Sequence, residues 1–151
     1  MKGFVPNMMP DGGPDAKQMV KRSLKTALLV GATLWCLTIL LAPAVGLASV
    51  YRFFSIICHQ EPERSWQLFG KSLPVCIRCA SIYFAFTASL WLGMKANVRW
   101  LRIGVCLMLC EFVIARVLID AAILRSMSGI LVGLTAAPFV KQGIEEICDF
   151  L

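Results

Sequence analysis

Apolar residues run along the chain in four long blocks joined by short polar connections. A helix needs about 20 predominantly apolar residues to cross a bilayer core, with a working range of about 17–25. Leu24–Val50 exceeds that length and is interrupted only by Lys25. Its Pro43 is compatible with a membrane helix, because neighbouring groups re-satisfy the freed backbone. Val75–Ala96 is a second block with Arg78 near one end, and Trp100–Ile119 a third that carries Glu111 and Arg116. Met127–Val140 is a shorter fourth, extended by Ser126 and its flanks. The pattern predicts an all-α integral membrane bundle of four transmembrane helices over residues 24–143, with a polar loop at 51–79. Residues 1–23, rich in Pro, Gly and charge, read as a disordered tail. Residues 144–151 read as a short acidic one. The first apolar block is too long and starts too late for a secretory signal core.

Composition agrees with a bilayer setting. The chain is 58% hydrophobic and 16% charged, against about 45–50% and about 25% in soluble domains. The net charge of +6 brings nucleic acid into consideration. No basic stripe interleaved with aromatics is present, however, and that class is set aside. Lys and Arg gather instead between the apolar blocks. Lys2, Lys17, Lys21, Arg22 and Lys25 precede or open the first, Lys95, Arg99 and Arg102 lie around the second connection, and Lys141 follows the fourth. The other two connections hold Arg52, Arg64, Lys71 and Arg125. The positive-inside rule therefore predicts both termini in the cytoplasm, a plasma or inner membrane location, and the 51–79 loop outside. Alternation puts the first and third connections on one face, so Asp120 and Arg125 can approach Cys58, His59, Arg64, Cys76 and Cys79.

The first connection carries the chemistry. "CHQEPERSWQLFGKSLPVCIRC", Cys58 to Cys79, holds three of the seven cysteines and the only histidine. Cys76 and Cys79 fall on one face of a helix start, where backbone N–H groups and Arg78 lower a thiol pKa. Pro74 suits such a start. Cys58, His59, Cys76 and Cys79 form a normal set of three sulfurs and one nitrogen for zinc, although neighbouring Cys58 and His59 converge on one ion only if the backbone turns sharply. Arg64, Asp120 and Arg125 are candidates for anion binding or for supporting the ligands. The same cysteines also suit a thiol–disulfide oxidoreductase built on Cys76 and Cys79 and linked to a quinone. Against that, the second outward connection has no cysteine pair. A third reading is a structural disulfide or a plain loop clamp, with Arg64 and Arg78 pairing Glu61, Glu63 or lipid phosphate. CxxCH, the haem-attachment pattern, is absent. Cys36, Cys106 and Cys110 lie within blocks as small apolar groups, and Cys148 lies in the acidic tail.

Two features inside the blocks matter. Glu111 sits near mid-membrane, where an ionisable group is a functional candidate for proton or ion movement, or a helix lock. Arg116 and Asp120 are spaced to pair along one helix face. Gly129 and Gly133, with Ala137 beyond them, make a ladder of small residues for close packing of another span or a second copy of the chain.

The motif "CHQEPERS", Gly70, "PVCIRC" and the Ile82–Tyr83 pair resemble domain of unknown function 2085, small predicted membrane proteins of bacteria and archaea. A second block, Asp120 followed by "LRSMSGILVG", matches with Arg125, Ser128, Gly129 and Gly133. The chain differs at Ser81 and Ala85, where the family usually has Gly, and at Ala121. The resemblance implies a multi-pass membrane protein and no particular activity. The expectation is a membrane protein with a Cys/His zinc site at the outer mouth. A quinone-linked thiol oxidoreductase and a transporter or channel accessory using Glu111 are the alternatives.

Overall fold

The computed structural model describes residues 14–117 and 122–150. Five α-helices dominate these described residues: α1 (Pro14–Val45), α2 (Ala48–Phe54), α3 (Ile77–Leu92), α4 (Val98–Val117) and α5 (Ala122–Phe150). Between α2 and α3 lies a small antiparallel hairpin, β1 (Gln67–Leu68) and β2 (Lys71–Ser72). Two helices are long and apolar enough to cross a bilayer, Lys17–Val45 and Ala122–Cys148, with mean hydropathy 2.2 and 1.5. The apolar α3 is shorter, and α4 carries Arg99, Arg102 and Glu111. Large apolar side chains such as Leu34, Leu41, Trp91, Val113 and Ile123 are exposed, a surface suited to lipid rather than water.

Element boundaries depart from the apolar blocks for local reasons. The first block breaks at Gly46, which adopts φ +67° and turns the chain into α2. That left-handed conformation is cheap only for glycine. α3 begins at Ile77 rather than Val75, leaving Cys76 as the residue ahead of its first turn. It ends where Gly93 takes φ +61° and Met94 N–H returns to Ser89 O, a Schellman closure.

The fourth block is the middle of a helix twice as long as expected. α5 passes through Pro138 and continues to Phe150, so residues 144–150 of the expected acidic tail are helical. Hydropathy falls there, but Glu145 and Glu146 are good helix formers, and Glu145 meets Lys25 of α1 at 2.6 Å. At the other end, residues 14–23 are already part of α1 rather than a disordered tail. Residues 1–13 of that expected tail lie outside the described residues.

Helix packing centres on α3 and α5. A Cβ at Gly129 would lie 2.8 Å from Arg78 O, and one at Gly133 2.9 Å from Ala85 Cβ. The ladder is thus occupied by α3 of the same chain, whose facing residues Ser81 and Ala85 are themselves small. Ser89 Oγ donates to Leu134 O at 2.8 Å across the same contact. The helix α4 lies on α5 with Gly104 against Leu131 and Val132. A second core, Ile39, Phe54, Cys58, Leu73, Val75 and Ala80, joins α1, α2 and the hairpin to the head of α3.

Candidate functional site

Three chain segments converge at the head of α3. The α2 helix ends in a turn in which Cys58 N–H bonds Phe54 O at 2.9 Å. Phe54 is fully buried beneath it, and this fixes where Cys58 sits. The hairpin then reverses the chain through Phe69 and Gly70, both at positive φ (54° and 73°), the signature of a tight type I′ turn. It returns through buried Leu73, Pro74 and Val75 to Cys76. The structure thereby brings together the Sγ atoms of Cys58, Cys76 and Cys79, all within 4.8 Å of one another. All are free thiols. Cys76 N–H donates to Cys58 Sγ at 3.2 Å.

The electrostatics favour a thiolate. The Cys79 thiol bonds the Cys76 sulfur, and that contact is the largest influence holding the Cys76 pKa down to about 5. Burial opposes it, and Cys58 and the N–H groups of Cys79 and Arg78 reinforce it. No regular cap hydrogen bond closes at Cys76, but those N–H groups point toward its sulfur at the positive end of the helix.

A cleft of about 320 Å³ opens beside the sulfurs, lined among others by His59, Glu61, Arg64, Arg78, Phe112 and Arg125. The expected residues from the first and third connections therefore share one site, apart from Asp120, which lies outside the described residues. His59 is exposed and stands outside the sulfur group, so the four-ligand set is met by its three cysteines only. Arg64 pairs with Glu61 at 2.8 Å.

Glu111 holds three helices at the base of this region. Its Oε2 bonds Arg78 of α3, and its Oε1 lies 3.5 Å from Arg125 Nε of α5. Arg78 therefore pairs across helices rather than with Glu61 or Glu63. It also stacks over Phe112, 5.8 Å from the ring centroid. Sequence reasoning singled out Glu111 and Arg125 but missed the Arg78 link, because the two partners lie 33 residues apart on different helices. It also missed Gln60, whose role is visible only once the loop is folded. Of the Arg116–Asp120 pair, the Arg116 side chain and all of Asp120 lie outside the described residues. Cys36 contacts Thr87 within the α1–α3 interface, and Cys106 and Cys110 are exposed on α4.

Comparison with known proteins gives a family. The family described as "Predicted membrane protein (DUF2085)" matches residues 58–139, which contain the whole sulfur cluster, the Arg–Glu–Arg group and the glycine ladder. The chain belongs to the DUF2085 family. An uncharacterised protein of Methanocaldococcus jannaschii is 50% identical over 34 residues, 22% of either chain. An uncharacterised protein of Methanothermobacter thermautotrophicus is 49% identical over 39 residues, 25% of this chain and 35% of the relative. The matched stretches thus span about a fifth to a third of those relatives. No solved structure matches. This DUF2085 protein is accordingly helical and membrane-associated by family and composition, with a cysteine cluster able to hold a metal ion.

Proposed function

We propose that the protein is a multi-pass membrane protein whose Cys58, Cys76 and Cys79 bind zinc at the outer mouth of a four-helix bundle. The observation that carries this reading is the convergence of three cysteine sulfurs within 4.8 Å of one another. Thiolates favour zinc among the common divalent ions. The donor set fits: Cys58 Sγ already accepts a backbone N–H, and Cys76 is held toward its thiolate. His59 and Glu61 line the adjoining cleft and are the candidates for a fourth donor. Bound zinc would tie the α2 corner to the head of α3 and act as a Lewis acid toward anything in the cleft. A role in bracing the loop follows from the ligands alone.

The bundle reading has its own support. Lys25, where the apolar part of α1 begins, meets Glu145 in the last turns of α5, which favours an even number of crossings. Arg125, at the start of α5, lines the same cleft as the first connection. The distribution of Lys and Arg favours both termini in the cytoplasm. The ion-conducting reading of Glu111 is less favoured, because each of its oxygens faces an arginine.

The test is metal analysis and thiol counting on detergent-purified protein prepared without reductant. Roughly one zinc per chain, lost together in Cys58→Ser and Cys76→Ser, supports the proposal. No metal, with two of the three thiols joined as a reducible disulfide, overturns it in favour of the quinone-linked oxidoreductase.

A further inference from the structure

Gln60 holds the Cys58 corner against the segment that carries Cys76. It adopts φ +50°, a left-handed conformation that glycine takes freely and side-chain-bearing residues rarely adopt. A glutamine at such a position implies that its side chain is used. The side-chain nitrogen donates to Tyr51 O at 2.6 Å and to Pro74 O at 2.8 Å. Both acceptors are main-chain carbonyls, so only the NH2 end of the amide can face them. Tyr51 belongs to α2, which leads into Cys58, and Pro74 lies two residues before Cys76. Tyr51 also reaches the hairpin itself, its hydroxyl donating to Ser72 O at 2.7 Å. One side chain therefore spans the two stretches of chain whose separation sets the distance from Cys58 to Cys76.

We propose that Gln60 is the positioning residue of the sulfur cluster, a two-pronged clamp that sets how closely Cys58 approaches Cys76 and Cys79. Its metal consequence rests on the zinc reading above. Its thiol consequence does not. Two variants separate the elements of the clamp. Gln60→Glu keeps the shape but presents oxygens to two carbonyls. Gln60→Gly relaxes the backbone and removes the amide. Each is compared with the full-length wild-type protein in detergent by three readouts: cobalt binding followed by its thiolate charge-transfer band, capture of the metal-free thiols by phenylarsine oxide, and thermal unfolding. Phenylarsine oxide requires two thiols in close approach and no metal.

Both variants are expected to bind cobalt about 10–100-fold more weakly, as loss of groups that orient metal ligands usually does. They should also be captured more slowly by the arsenical. Gln60→Gly should unfold within a few degrees of wild type, which keeps the test informative if Gln60→Glu folds poorly. If wild type takes no cobalt but the variants lose arsenical capture, the metal reading fails and the clamp stands. If Gln60→Gly matches wild type in cobalt affinity and arsenical capture, the clamp is wrong whatever its unfolding temperature.

Discussion

The backbone N–H of Cys76 donates to the sulfur of Cys58 at 3.2 Å, across 18 residues of chain. The bond ties the end of the α2 turn to the residue that opens α3. Around it, Phe54, Leu73 and Val75 are buried, so the corner that presents the sulfurs is also the core of the loop. Site geometry and loop stability are consequently the same problem here, and variants should be judged on both.

Thiol reactivity should report the depressed pKa of Cys76. A lowered pKa means that the thiolate exists above about pH 5 and is lost below it. In metal-free protein, one thiol of the cluster should alkylate with iodoacetamide at about pH 6, far below the range of ordinary thiols. Peptide mapping should assign it to Cys76. Uniform reactivity of the three, rising only above about pH 8 as for ordinary thiols, would mean that the Cys79 contact does not hold a thiolate.

The Arg78–Glu111–Arg125 group should behave as a lock. Glu111→Gln leaves two largely buried guanidinium groups without their shared carboxylate. Breaking a buried ion pair from one side costs about 3–5 kcal/mol. Thermal unfolding in detergent, followed by tryptophan fluorescence, should show that loss. Unchanged stability combined with altered ion flux in proteoliposomes would instead support the transport reading.

Two glycine substitutions should move stability in opposite directions. An alanine Cβ at Gly133 would press on Ile82 O and sit 2.9 Å from Ala85 Cβ. Overpacking of that kind costs about 1–3 kcal/mol. Gly31 lies inside α1, and a Cβ added there would meet nothing within 4 Å, so Gly31→Ala should be neutral or stabilise by up to about 1 kcal/mol. Parallel unfolding curves of the two variants check this. Equal effects would argue against the close α3–α5 approach.

Much of this architecture was legible because hydropathy and spacing are local properties. The apolar blocks located α1, α3, α4 and the middle of α5, and the cysteine pattern pointed to the three sulfurs that cluster. What hydropathy could not reach was backbone geometry. Gly46 breaks a block that reads as continuous, and Pro138 fails to break α5. The β1–β2 hairpin was missed because strands of two residues carry no periodicity, and only Gly70 hinted at its turn. Within the site, three cysteines converge as their positions suggested, whereas His59 stays exposed. Nothing in a sequence says which of two adjacent side chains turns inward. The Arg78–Glu111 contact required the α3–α5–α4 packing order, and that order follows from Gly129, Gly133 and Gly104 only once their partners are known.

The most direct measurement of the central claim is zinc K-edge X-ray absorption on protein purified from membranes without added metal. Three sulfur scatterers at about 2.3 Å and one lighter nitrogen or oxygen are expected, with a sulfur lost in Cys58→Ser. A first shell without sulfur, or a preparation without zinc that cannot be loaded with it, would contradict metal binding by Cys58, Cys76 and Cys79.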